Sequence, residues 1–155
     1  MHARILLVED SPTQRLVAEM VLESAGFVVT AVEDAESVDL AALDGFDLAL
    51  VDHVLPGASG LELCRAIVAA GGPPVVAMTG HATADTLSEW IAAGAVSWLP
   101  KPLDPARSAD HVARVLETER RRTPDDAPGP TREQLVDLVA TCARELADRT
   151  DGGTE

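Results

Sequence analysis

Five times in the first 122 residues, a short apolar run bounded by turn residues leads into a segment with helical spacing. That alternation admits few folds. Strands that are apolar on both faces belong to parallel sheets, and the intervening helices must cover those faces. The apolar runs are 4–8, 27–31, 48–52, 75–79 and 96–99. Between them, Ser11 caps a helix with Pro12 at its first position and Leu16, Val17, Met20 and Val21 as its apolar face. Asp34 is expected to cap a weaker helix with Val38, Ala41 and Ala42 inward. Ser59-Gly60-Leu61-Glu62 has the form of a capping box and opens a helix carrying Leu61, Cys64, Ile67 and Val68 on one face. A helix over 83–93 is expected to bury Leu87 and Ile91, and Asp104-Pro105 opens a last one facing inward with Val112, Val115 and Leu116. The expected fold class is α/β, a doubly wound five-stranded parallel sheet over 1–122.

Three prolines, two aspartates and a glycine make 123–130 a linker by composition. Beyond it, 131–149 reads as an amphipathic helix with Leu135, Leu138, Val139, Cys142 and Leu146 on one face, and 150–155 as a disordered tail. An isolated helix of about 16 residues is marginal in water, so this segment is expected to dock on the preceding domain or to pair with another chain.

Apolar content of 46% and charged content of 25% are those of a globular protein. No apolar run approaches the ~20 residues of a membrane span, and the N-terminus lacks signal-peptide anatomy, so the expected location is cytoplasmic with no membrane partner. The net charge of −14 repels nucleic acid and anionic lipid. Cys64 and Cys142 lack metal or redox spacing and read as small apolar residues.

Polar residues gather where ligands bind in such sheets, at the carboxyl ends of the strands. Glu9 and Asp10 end the first strand, Asp52 the third and Thr79 the fourth, while Lys101, the one lysine among 12 basic residues, follows the fifth. Three clustered carboxylates repel one another unless a cation sits among them, and hard oxygen donors in that number suit Mg²⁺. Lys101 adds a point charge and Thr79 a hydroxyl, the groups needed to neutralise a phosphoryl group. Taken singly, each has an ordinary reading as a strand end, turn hydroxyl or surface charge. Their coincidence on one edge points to phosphoryl chemistry.

These residues resemble the receiver domains of two-component response regulators over about 3–121. The resemblance is carried by Leu7-Val8-Glu9-Asp10, by Asp52 with Leu55-Pro56-x-x-Ser59-Gly60, by Met78-Thr79-Gly80, and by Lys101-Pro102. It implies a flavodoxin-like fold with strand order 2-1-3-4-5. It further implies that Asp52 is the phosphoacceptor and that Asp10, Asp52 and the main-chain carbonyl of Val54 are Mg²⁺ ligands. Glu9 would act there through a water. Thr79, Gly80 and Lys101 match the positions that hold the phosphoryl group, Lys101-Pro102 a cis peptide, and Thr79 with Trp98 the switch pair. Departures are Glu9, a methylene longer than aspartate, the bulk of Trp98, and Val54 and His81 flanking the site.

The implied function is two-component signalling. A histidine kinase or phosphotransfer protein phosphorylates Asp52, and the change is read by a downstream protein target through the surface around the last helix. The protein would be no enzyme beyond its own phosphorylation and dephosphorylation. From Thr123 onward stand eight acids and three arginines. A stand-alone receiver without a DNA-binding output is therefore expected, with the last receiver helix or the C-terminal helix as the place for a homodimer contact. A dehalogenase-like phosphatase would need an acid at position 54, where Val54 stands. A nucleotide-binding enzyme would want a glycine-rich loop where Glu9-Asp10-Ser11-Pro12 stands. A receiver-like interaction module that is not phosphorylated would lack one of the site residues, and all are present.

Overall fold

A computed structural model of the chain describes residues 2–80, 83–123, 125, 135, 136 and 140. Strands β1 (Arg4–Val8), β2 (Val28–Val32), β3 (Leu48–Asp52), β4 (Val75–Thr79) and β5 (Ser97–Pro100) form one parallel sheet in the order β2-β1-β3-β4-β5. Helices α1 (Pro12–Ser24), α2 (Gly60–Ala69), α3 (Ala84–Ala92) and α4 (Pro105–Arg120) cover it.

Because side chains alternate along a strand, each strand feeds two cores. Leu6, Val8, Ala49, Val51, Val75 and Ala77 meet Leu63, Cys64 and Ile67 of α2 and Leu87 and Trp90 of α3. Ile5, Leu7, Leu48, Leu50, Val76 and Met78 face the other way, toward Ala18 and Leu22 of α1 and Val112, Val115 and Leu116 of α4. The middle strands β3 and β4 are buried along their whole length, as both-faced packing requires. The helices start where hydroxyl and carboxylate side chains accept from their first turn: Ser11 from Gln14 N–H, Ser59 from Glu62, Thr83 from Thr86 and Asp104 from Arg107.

Two sequence expectations require correction. The segment between β2 and β3 holds no α-helix, only a 3-10 turn over Leu40–Gly45 capped by Asp39. Asp34 accepts from the Ser37 N–H at 2.8 Å as a helix cap would, but no helix continues from it. Asp39 then accepts from the Ala41 N–H at 3.0 Å, an Asx turn that competes with helix, and Ala42 leaves helical geometry at φ −115° and ψ 22°. Leu43 is buried there, whereas Ala41 and Ala42 are exposed.

The second correction concerns α1. Its buried residues are Ala18, Val21 and Leu22, while Leu16, Val17 and Met20 are 57%, 42% and 60% exposed. Both sets obey helical spacing. The small Ala18 lets the helix lie close against its neighbours, and that contact selects the stripe. On α3, Trp90 is buried beside Leu87, and Ile91 packs only partly.

The expected linker, C-terminal helix and tail lie almost wholly outside the described residues. Of the helix only Leu135, Val136 and Ala140 are described, and these are helical.

Candidate functional site

The carboxyl ends of β1, β3 and β4, with the turn after β5, surround a cleft of about 440 Å³ lined by residues including Glu9, Asp10, Asp52, His53, Val54, Thr79, Gly80 and Lys101. Parallel register is what gathers them: Val8 pairs with Val51 and Asp52 with Met78, so successive strands finish at one level. At the next pair the main-chain N–H of Lys101 donates to the Thr79 carbonyl at 3.0 Å, tying the end of β4 to the turn that carries the lysine. The Lys101–Pro102 peptide is cis. Gly60 opens α2 directly behind Asp52, where an added Cβ would overlap the Asp52 carbonyl oxygen. The close approach of helix to strand end therefore requires glycine.

Charge is arranged around one ammonium. Lys101 Nζ lies 2.8 Å from Glu9 Oε2 and 3.1 Å from Asp52 Oδ2. The second Asp52 oxygen accepts from the Val54 N–H at 3.3 Å, and Glu9 Oε1 accepts from Ser11 N–H at 3.2 Å. Glu9, Asp52 and Thr79 are buried, Asp10 is exposed, and the Lys101 side chain is 16% exposed.

Burial pushes the Glu9 carboxyl up to about 7; the bond from Lys101 opposes this and the neighbouring Asp52 adds to it. For Lys101 burial acts downward, but Glu9 and Asp52 together outweigh it and hold the ammonium above its ordinary value. One ammonium thus serves two buried carboxylates, and charge remains to be balanced.

One carboxylate oxygen each from Glu9, Asp10 and Asp52 lies within 4.8 Å of the others. Three hard oxygens at that spacing, one of them exposed to solvent, fit a small divalent cation that keeps part of its water shell. The donor set suits Mg²⁺ better than a softer metal, since among the described residues neither His nor Cys joins it.

Of the residues singled out in the sequence, Glu9, Asp10, Asp52, Val54, Thr79, Gly80, Lys101 and Pro102 line the cleft. Trp98 does not. It is buried in the core on the α2–α3 side, and its indole Nε1 has no hydrogen-bond partner among the described residues. His81 lies outside the described residues.

Two contacts have no counterpart among the sequence expectations. Trp90 Nε1 donates to His53 Nδ1 at 2.9 Å, and Arg15 Nη1 donates to the main-chain carbonyls of Glu9 at 2.9 Å and Asp10 at 3.4 Å. Neither has a sequence signal beyond an arginine five residues after an acid, a spacing too common to single out.

Comparison with known proteins bears on the same residues. The sequence profile of the response regulator receiver domain matches residues 5–113. Response regulator MprA of Mycolicibacterium vanbaalenii is 35% identical over 134 residues, covering 83% of this chain and 55% of that protein. The transcriptional regulatory protein CseB of Streptomyces coelicolor is 34% identical over 120 residues, covering 74% and 50%. The chain thus spans about half the length of these two relatives.

Among solved structures, Vibrio cholerae chemotaxis protein CheY4 superposes with a TM-score of 0.68 at 28% identity, over 74% of this chain and 99% of that one. A CheY-like receiver domain protein from Methanospirillum hungatei gives 0.69 at 27% identity, over 78% and 98%. Sheet order, the acidic edge and the profile match agree, and the chain belongs to the response regulator receiver domains of two-component systems.

Proposed function

We propose that Asp52 accepts a phosphoryl group in an Mg²⁺-dependent reaction fed by a histidine kinase or phosphotransfer protein, and that the modified domain engages a downstream protein. The observation that carries this reading is the Lys101 ammonium bridging Glu9 and Asp52 at 2.8 and 3.1 Å. A cation so placed touches the nucleophile and can move onto an incoming phosphoryl oxygen without leaving the cleft.

In the reaction a carboxylate oxygen of Asp52 forms a bond to phosphorus as the donor's N–P bond breaks, and the departing imidazole takes a proton. Lys101 takes up charge on the phosphoryl oxygens, assisted by the Thr79 hydroxyl and the Gly80 N–H at the end of β4. Glu9, Asp10 and Asp52, with the Val54 carbonyl, would hold Mg²⁺, which supplies neutralisation of phosphoryl charge when bound. Burial of Asp52 and Glu9 keeps bulk water from competing for the same donors.

The product carries about −1.5 to −2 charge where a single carboxylate stood. Thr79 ends β4, just before the loop leading into α3, and Trp98 lies on the neighbouring strand β5. Movement of this pair would alter the surface of α3, β5 and α4, where a protein target would read it. The domain would turn over only its own phosphoryl group.

Acetyl phosphate with and without Mg²⁺, followed by intact mass spectrometry, tests this. A Mg²⁺-dependent gain of one phosphoryl group, absent in Asp52→Asn, is expected. A gain that persists in Asp52→Asn sinks the assignment.

A further inference from the structure

Asp10 differs from its two neighbours in how it is held. Lys101 pairs with Glu9 and Asp52, but among the described residues no ion pair reaches the Asp10 carboxylate, which is exposed. Repulsion within the cluster would drive this side chain and its loop outward. The loop is instead anchored through its main chain. Arg15 Nη1 donates to the Glu9 carbonyl at 2.9 Å and, at longer range, to the Asp10 carbonyl at 3.4 Å.

Helical geometry explains the reach. Side chains tilt toward the helix N-terminus, so Arg15, fourth residue of α1, folds back over the first turn onto the loop before it. A cation at that end of a helix opposes the helix dipole, a local conflict of the sort functional sites tolerate.

We infer that Arg15 is a positioning residue for the divalent cation: by clasping the carbonyls of both acids it keeps Asp10 beside Glu9 and Asp52. The inference rests on the metal-assisted reading above. It makes a prediction of opposite sign to simple electrostatics. Removing a positive charge next to a dication site would tighten binding if charge were all that Arg15 contributed. Loss of positioning must weaken it.

The test is calorimetric titration of the full chain with Mg²⁺ and with Ca²⁺, comparing the unsubstituted protein with Arg15→Met, which keeps the stem and loses the donors. Removing groups that orient metal ligands typically costs about 10–100-fold in affinity, and about tenfold is expected for Mg²⁺ here. The loss for Ca²⁺ should be smaller, because Mg²⁺ demands near-ideal octahedral geometry and Ca²⁺ tolerates a looser one. A thermal melt without metal accompanies each variant.

An unchanged or tighter Mg²⁺ constant in Arg15→Met overturns the inference, even if the melt shifts. If that variant does not fold, Arg15→Lys keeps the charge without the planar fork. A weaker Mg²⁺ constant is again expected there, and an unchanged one overturns the inference. Absence of Mg²⁺ binding by the unsubstituted protein overturns the metal-assisted reading and this inference with it. Binding by that protein with no change in either variant overturns this inference alone.

Discussion

The indole N–H of Trp90 donates to His53 Nδ1 at 2.9 Å, with the two rings tilted by 55° at a centroid separation of 5.9 Å. Trp90 sits on α3 and His53 follows the phosphoacceptor candidate, so the bond links a helix of the α3–β5–α4 surface to the wall of the cleft. Accepting at Nδ1 leaves Nε2 as the protonated nitrogen of a neutral imidazole. Trp90→Phe keeps most of the ring and removes the donor. A loss of about 1–2 kcal/mol in urea denaturation is expected, combining a hydrogen bond with a small cavity. Mg²⁺ should change indole fluorescence in Trp98→Phe, where Trp90 remains, and much less in Trp90→Phe.

Glu9 sets a pH dependence. With its carboxyl pushed up to about 7, this residue is partly protonated at neutral pH in metal-free protein. Cation binding selects the carboxylate, so Mg²⁺ affinity should rise between pH 6 and 8, with protons released on binding. Titrations in two buffers of different ionisation enthalpy measure that release, and Glu9→Gln should abolish the slope over this range.

Stability without metal runs the other way. The folded-state value lies above the ordinary carboxylate value of 4.5, so the folded state binds the proton more tightly than the unfolded chain. Glu9's contribution is then fully present below pH 4.5 and is lost as pH rises through about 7. Denaturation across pH 5 to 8 should show this decline in the wild type against a flatter curve in Glu9→Gln.

Lys101→Met leaves two buried carboxylates without their cation. Metal-free stability should fall by about 2 kcal/mol, since charge-assisted bonds are lost and Glu9 can take a proton in partial compensation. Mg²⁺ should bind more tightly than in the wild type, because the competing ammonium is gone. Labelling by acetyl phosphate should nevertheless drop sharply. Unaltered labelling would remove Lys101 from the chemistry.

Gly60→Ala tests how far the site depends on close packing. An added methyl group meets the Asp52 carbonyl oxygen and, at 3.1 Å, the Trp90 ring. Backbone must shift, at a cost of about 1–3 kcal/mol, and Asp52 shifts with it. Reduced labelling with a lowered urea midpoint is the expected pair of results.

The sheet was legible in the sequence because its signals are local. Runs such as Leu48–Asp52 are apolar on both faces, and those of β1, β3 and β4 end at or next to a polar residue, so strand identity, parallel packing and the acidic edge follow from short stretches. Glu9, Asp10, Asp52, Thr79 and Lys101 meet in one cleft for the same reason: a strand end is a place the chain specifies by itself.

Tertiary structure decided what local pattern left degenerate. Leu16, Val17 and Met20 have helical spacing as good as that of Ala18, Val21 and Leu22, and only contact with the sheet and α4 selects the second set. Residues 34–42 have an apolar spacing compatible with helix, but Asp39 bonds the Ala41 N–H in an Asx turn and a 3-10 turn forms instead. The bonds from Trp90 to His53 and from Arg15 to the acidic loop join groups through their positions in space. A hydrogen bond across 37 residues leaves no periodic trace along the chain, because its energy depends on a distance that only the packed fold defines.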